Sequence, residues 1–209
     1  MFKKILASSL LLISFVGCNT FGTVKITKDS FKDAHIVNLK LRLKSTEPVL
    51  GAPFDSALTK YFAEMDFTRE IGKEKIVPTA VRFKILASPQ NTLIERSGFL
   101  KIGEKSTPLA FGNVSAQVVT EVTTTTTNTP SNSNTSFGSG KLNTKVDTNV
   151  RKELTGTFLL KKEDEEAILK ANDFVVRFYS GSEPITIPVT EDDLAKFKEY
   201  LNAKPEAGN

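Results

Sequence analysis

Apolar and polar residues alternate with period two through most of the chain beyond residue 22, a pattern that predicts strands. The stretch Thr23 to Thr27 alternates first. His35 to Leu43 then sets Val37, Leu39, Leu41 and Leu43 on one face and Asn38, Lys40, Arg42 and Lys44 on the other, predicting a half-buried strand that Pro48 interrupts. Thr79 to Leu86 repeats the pattern with Val81, Phe83 and Ile85 inward. Thr92 to Ile102 predicts a further strand, bulged or bent at Gly98. Between them, Leu58, Tyr61, Phe62 and Met65 recur at helical spacing behind Pro53 and Asp55, so Phe54 to Met65 predicts a short helix.

The middle of the chain is unusual in composition. Val114 to Thr126 is rich in Val and Thr, whose branched Cβ suits extended backbone. Asn128 to Gly140 is a low-complexity run of turn residues, after which Leu142, Thr144, Val146, Thr148 and Val150 resume alternation. Together they predict one long hairpin with a flexible tip at residues 128–140. It reads as a protruding arm that touches a partner, or as a surface loop that tolerates insertion.

The C-terminal third predicts a strand at Gly156 to Leu160 and a helix at Glu163 to Ala171 opened by acidic residues that suit the positive helix end. A hairpin follows, pairing Phe174 to Tyr179 with Ile185 to Val189. In the last helix Thr190 and Asp193 form a variant capping box, and Leu194, Phe197 and Leu201 share a face. The expected fold class is therefore α+β: a single β-rich domain over residues 23–203, mainly antiparallel sheet in a sandwich or open barrel-like arrangement. Two or three short helices and the long hairpin complete it, and residues 204–209 are expected to be a disordered tail.

The first residues follow another logic. Lys3 and Lys4 precede a short apolar run from Ile5 to Phe15, and Gly17 stands before Cys18. A span needs about 20 apolar residues, so this run is too short to cross a bilayer and reads as a signal peptide to be removed. Phe15, Val16, Gly17 and Cys18 resemble the lipobox of bacterial lipoproteins, and Phe15 in place of the usual Leu is similar to the looser spirochaetal pattern. The resemblance covers about the first 20 residues and carries no fold. It implies cleavage after Gly17, acylation of Cys18 with diacylglycerol and palmitate, and a lipidated tether at residues 18–22. Several acyl chains on one cysteine meet the requirement for more than one membrane signal, so the partner implied is the membrane itself, reached through lipid. Uncharged Asn19 implies sorting to the outer membrane.

Composition narrows the chemistry. Cys18 is the single cysteine, which leaves no disulfide, and His35 is the single histidine, which excludes paired-histidine and cysteine zinc sites. Of the formal charge of +4, Lys3 and Lys4 leave with the signal, and without a basic block no nucleic-acid partner is expected. Gly112 to Ala116 is not a nucleophile elbow. Gly138 to Lys141 is not a phosphate loop, since Thr135 stands where its first Gly should be and Leu142 where Ser or Thr should be. His35 with Asp29 or Asp33 is a thin base candidate. The runs Asp164 to Glu166 and Glu191 to Asp193 fit helix starts better than calcium loops, and Arg177 fits a strand rim better than an anion clamp. No catalytic, cofactor or metal residue is expected, and Cys18 is the one site residue. The function expected is non-enzymatic: an envelope lipoprotein with a structural or protein-binding role, its partner an envelope or host protein. The alternatives are a carrier with an apolar cavity of about 300 Å³ or more, and a surface adhesin.

Overall fold

The alternation at Val37, Leu39, Leu41 and Leu43 becomes the strand β2 (Ala34–Pro48), in which those four residues are buried. The computed structural model describes residues 21–51, 59–72, 77–129 and 141–205. Cys18, the signal segment, the 130–140 part of the hairpin tip and residues 206–209 of the expected tail lie outside them. Around β2 the chain builds β1 (Lys25–Asp29), β3 (Lys60–Ile71), β4 (Ala80–Ala87), β5 (Ser97–Ile102), β6 (Lys105–Ala110), β7 (Gly112–Thr129) and β8 (Lys141–Leu159). The helix α1 (Lys162–Lys170), the hairpin β9 (Asp173–Ser180) and β10 (Glu183–Thr190), and the helix α2 (Glu191–Asn202) follow.

All pairings are antiparallel, and the strands form a six-stranded sheet in the order β1-β2-β3-β4-β8-β7 and a four-stranded sheet in the order β10-β9-β5-β6. One core lies between them. Phe83 of β4 meets Phe178 of β9 with ring centroids 4.7 Å apart, and Phe111 stacks on Phe178 at 5.0 Å. Gly156 is what lets β8 pass here, since a Cβ on it would come 2.5 Å from the Phe83 ring. Gly98, expected to mark a bend, answers a similar crowding: its Cβ would run into the Arg177 carbonyl and the Phe111 ring.

α2 closes one end of the core. Its Phe197 packs on Phe67 at 4.8 Å and on Phe174 at 5.1 Å, and buried Arg69 of β3 donates to the carbonyls of Leu201 at 2.8 Å and Tyr200 at 2.9 Å. A cation at a helix C-terminus satisfies carbonyls that lack intrahelical donors and complements the dipole. Thr79 ties the helices to β4: its N–H donates to Glu165 at 2.8 Å, and its hydroxyl lies 3.2 Å from that of Tyr200. Burial pushes the Tyr200 hydroxyl above its ordinary pKa, against the pull of the Thr79 hydrogen bond and Arg69.

Several expectations are corrected. The described part of Phe54 to Met65 is not helical: from Lys60 onward it is β3, and residues 52–58 lie outside the described set. Hydrogen-bonded neighbours on both sides outweigh the helical spacing, because Tyr61, Ala63, Met65 and Phe67 all turn inward. The helices among the described residues are thus two. β6 went unforeseen, and β5 begins at Ser97, the residues before it meeting β9 through an isolated Ile94 to Ser180 bridge rather than a strand. Gly156 to Leu160 is not a separate strand, since its residues up to Leu159 end β8. Thr190 precedes α2 without a side-chain cap, because it still pairs with Asp173 and the chain turns through Glu191 at φ +49°.

Candidate protein-binding surface

An edge strand offers unpaired backbone groups, and folded proteins ordinarily blunt it with shortness, lysine, proline or cover. Among the described residues, three of the four sheet edges follow that rule. β1 has 5 residues and carries Lys25 and Lys28, and β6 has 6 with Lys105 and Pro108. β10 is closed more thoroughly. Its Thr186 N–H donates to Glu47 Oε2 at 2.7 Å instead of to the sheet. Pro184 and Pro188, two residues either side, share its phase and have no N–H. Burial alone would raise the Glu47 carboxyl, but the hydrogen bonds from Thr186 outweigh it and hold the group below its ordinary range.

β7 breaks the rule. It runs 18 residues at the end of the large sheet with β8 as its neighbour on one side, and it contains no proline, lysine or arginine and one charge, Glu121. Its register with β8 continues from Ser115 and Thr155 to Thr129 and Lys141. The hairpin expected from the Val and Thr run is therefore present, and its described strands carry it well beyond the core.

The arm has two unlike faces. One continues the core-facing side of the sheet outward from fully buried Leu154, and on it Val118, Val122, Val146 and Val150 are 57%, 62%, 58% and 41% exposed. The other is charged: Arg151 bridges Glu121 at 2.8 Å, and Lys145 bridges Asp147 at 3.0 Å. At the root, Lys152 donates from Nζ to the carbonyl of Asn91. Buried Asn91 also donates to the Tyr61 hydroxyl at 3.1 Å and to Ser180 at 3.3 Å, so the arm springs from a hydrogen-bonded hub that joins both sheets.

A second concavity lies on the solvent face of the large sheet. This trough of 1060 Å³ is lined by Asn38, Lys40, Asp66, Thr68 and Arg82 and, towards β6, by Pro108, Ala110 and 65% exposed Leu159. Lys40 and Asp66 pair at 3.3 Å, while Arg82 makes no ion pair among the described residues. In the next row Glu64 takes Arg42 at 2.7 Å and Lys84 at 2.8 Å. Burial raises its carboxyl, and the two cations more than reverse this and hold it below its usual range. Phe21 and Gly22 dock at this face: the Phe21 ring lies under Arg42 at 4.4 Å, and Gly22 N–H donates to the Lys40 carbonyl at 2.8 Å. Residues 21 and 22, at the end of the tether expected at residues 18–22, thus pack on the sheet.

The remaining residues singled out from the sequence are not gathered into a site. His35 sits within β2 opposite Lys28 and Ile71, and Asp29 spends its carboxylate on the turn, accepting the N–H of Phe31 at 3.0 Å. Glu165 is committed to Thr79, and Glu166 lies 3.8 Å from Lys162. In α2, burial first and Asp192 second raise the Asp193 carboxyl. Exposed Arg177 donates to Thr186 at 2.9 Å. Among the described residues no group of three or more His, Cys, Asp or Glu is placed to hold a metal ion. Gly112 and Ser115 frame the bulge at the start of β7, with Asn113 at φ +50°. The sequence pointed to the arm through its Val and Thr content; the trough and the closed β10 edge went unseen, since both join strands distant in the chain. Comparison of the chain with protein-family models, with curated proteins and with solved structures finds no match.

Proposed function

We propose that the chain is a non-enzymatic, lipid-anchored protein of the bacterial outer membrane, held there through acyl chains on Cys18, and that it works by binding protein through the β7–β8 arm. The observation that supports this reading is the exposed valine face of the arm, a continuation of the core side of the sheet with nothing of the described chain laid over it. Exposed apolar surface of this kind marks interaction sites. The test replaces Val119 to Arg151 with Asn-Gly, a two-residue turn suited to joining the paired residues Val118 and Lys152. Cross-linking in intact cells is expected to lose its partner bands in this variant, and unchanged bands refute the arm's role. Labelling with palmitate should mark the wild type and not Cys18→Ala; a labelled alanine variant refutes the anchor.

The trough favours a second reading, a carrier for an apolar chain with an anionic head. Leu159, Pro108 and Ala110 would meet the chain and Arg82 the head. A fluorescent fatty acid should then bind the wild type at least tenfold more tightly than Arg82→Glu, and equal affinity sinks the idea.

A further inference from the structure

We infer that the partner of the arm is the arm of a second copy, the two β7 strands adding edge to edge, antiparallel, about a twofold axis at Thr120. This rests on the reading of the arm as a protein-binding surface and names its occupant. The first ground is the contrast between edges: β10 is closed by Pro184, Pro188 and Glu47, whereas β7, the longest edge, has β8 alone as a strand neighbour among the described residues. An isologous contact further requires a strand that complements itself. About Thr120, Val118 stands opposite the partner's Val122 on the valine face, and the same pair recurs across the axis. Cross-strand pairs of branched apolar residues favour such a register. The single charge of the strand fits as well: Glu121 falls opposite the partner's Val119 and keeps its bridge to Arg151, whereas shifting the axis to Glu121 would set like charges face to face. In this arrangement the tip of each arm lies beside the root of the other. The large sheets become one continuous sheet, and the two valine faces lie side by side on the same surface. Anchoring on one membrane would raise the effective concentration of the two arms.

The test measures the mass of the full-length chain in detergent by analytical ultracentrifugation. Val118 and Val122 are exposed, so lysine at both leaves the core untouched while placing lysine opposite lysine in the proposed register. The wild type is expected to sediment as a dimer and Val118→Lys with Val122→Lys as a monomer. Val118→Glu with Val122→Lys, which puts opposite charges across the axis, is expected to restore the dimer. A wild type that stays monomeric up to about 100 μM, the weak range of specific association, overturns the inference. So does a double-lysine variant as dimeric as the wild type, or a Glu/Lys variant as monomeric as the double lysine. A monomeric wild type that still loses its envelope cross-links when the arm is replaced overturns self-pairing alone; one that keeps them overturns the arm as a binding surface too.

Discussion

Glu47→Ala tests the closing of the β10 edge and, with it, the link between the two sheets. Glu47 lies in β2 of the large sheet, and its Oε2 accepts the N–H of Thr186 in the small one at 2.7 Å. Thr186 is 7% exposed, so deleting the carboxylate leaves a nearly buried N–H without its acceptor. Such a group costs about 1–3 kcal/mol, and partial exposure of Glu47 to solvent holds the estimate near the middle, about 2 kcal/mol. For a domain of this size that is roughly 4–8 °C in Tm. Glu47→Gln keeps an acceptor without the charge and should lose about half as much. The pH dependence follows from the carboxyl being held below its ordinary range in the fold, by the hydrogen bonds that outweigh burial. The unfolded chain therefore binds the proton first as pH falls. The stabilisation is complete above the ordinary Glu range and is lost as pH drops through the lower, folded value. Urea denaturation should accordingly show the gap between wild type and Glu47→Gln at pH 7 and find it narrowed in acid. A gap that widens on acidification, or a Glu47→Ala variant within 0.5 kcal/mol of wild type at pH 7, a threshold of roughly the scatter for surface changes, refutes the closing role.

Three further outcomes follow from the core and the hub. Arg69→Met removes the donor from the Tyr200 and Leu201 carbonyls and should cost about 2–3 kcal/mol, with amide exchange in α2 accelerating before the rest; uniform acceleration refutes its local role. Gly156→Ala drives a Cβ into the rigid Phe83 ring and should destabilise by about 1–3 kcal/mol, relieved in part by Phe83→Leu; additive losses in the double variant refute the clash. Asn91→Ala leaves Tyr61 and Ser180 short of a buried partner and should cost about 2 kcal/mol, with exchange rising at the arm's root near Lys152, and an unchanged root refutes the hub.

What the sequence made legible was the facing of residues within a strand. Through the middle of β2 and β4 the inward residues, Val37 to Leu43 and Val81 to Ile85, are large and aliphatic or aromatic, so the period shows without any neighbour. In β3 the same period is present but disguised: small Ala63 and charged Arg69 hold inward positions, while Phe62 faces away and lines up with Tyr61 and Met65 at helical spacing. Arg69 is inward because the end of α2 comes to it, and that partner is 132 residues away. Long-range satisfaction of this kind leaves no local mark. β6 was hidden by its polar composition and by Pro108, which suits an edge strand and reads in isolation as a break.

The edges divide along the same line. The prolines of β10 stand in the sequence, yet their meaning depends on the Thr186 N–H between them going to Glu47, which only the packing of one sheet on the other brings into place. Closing an edge requires a named residue at a named position, so it can be mutated away one hydrogen bond at a time. An open edge needs nothing added, and β7 shows this as 18 residues without proline, lysine or arginine. Ordering so long a run costs backbone entropy, and a valine face left exposed returns little of it through burial. If the strand is completed by the β7 of a second copy, as inferred above, that pairing accounts for its length. Substitutions at exposed Val118 and Val122 that spare the pairing with β8 should therefore leave urea-denaturation stability of the isolated chain nearly unchanged and, if the arms pair as inferred, weaken association.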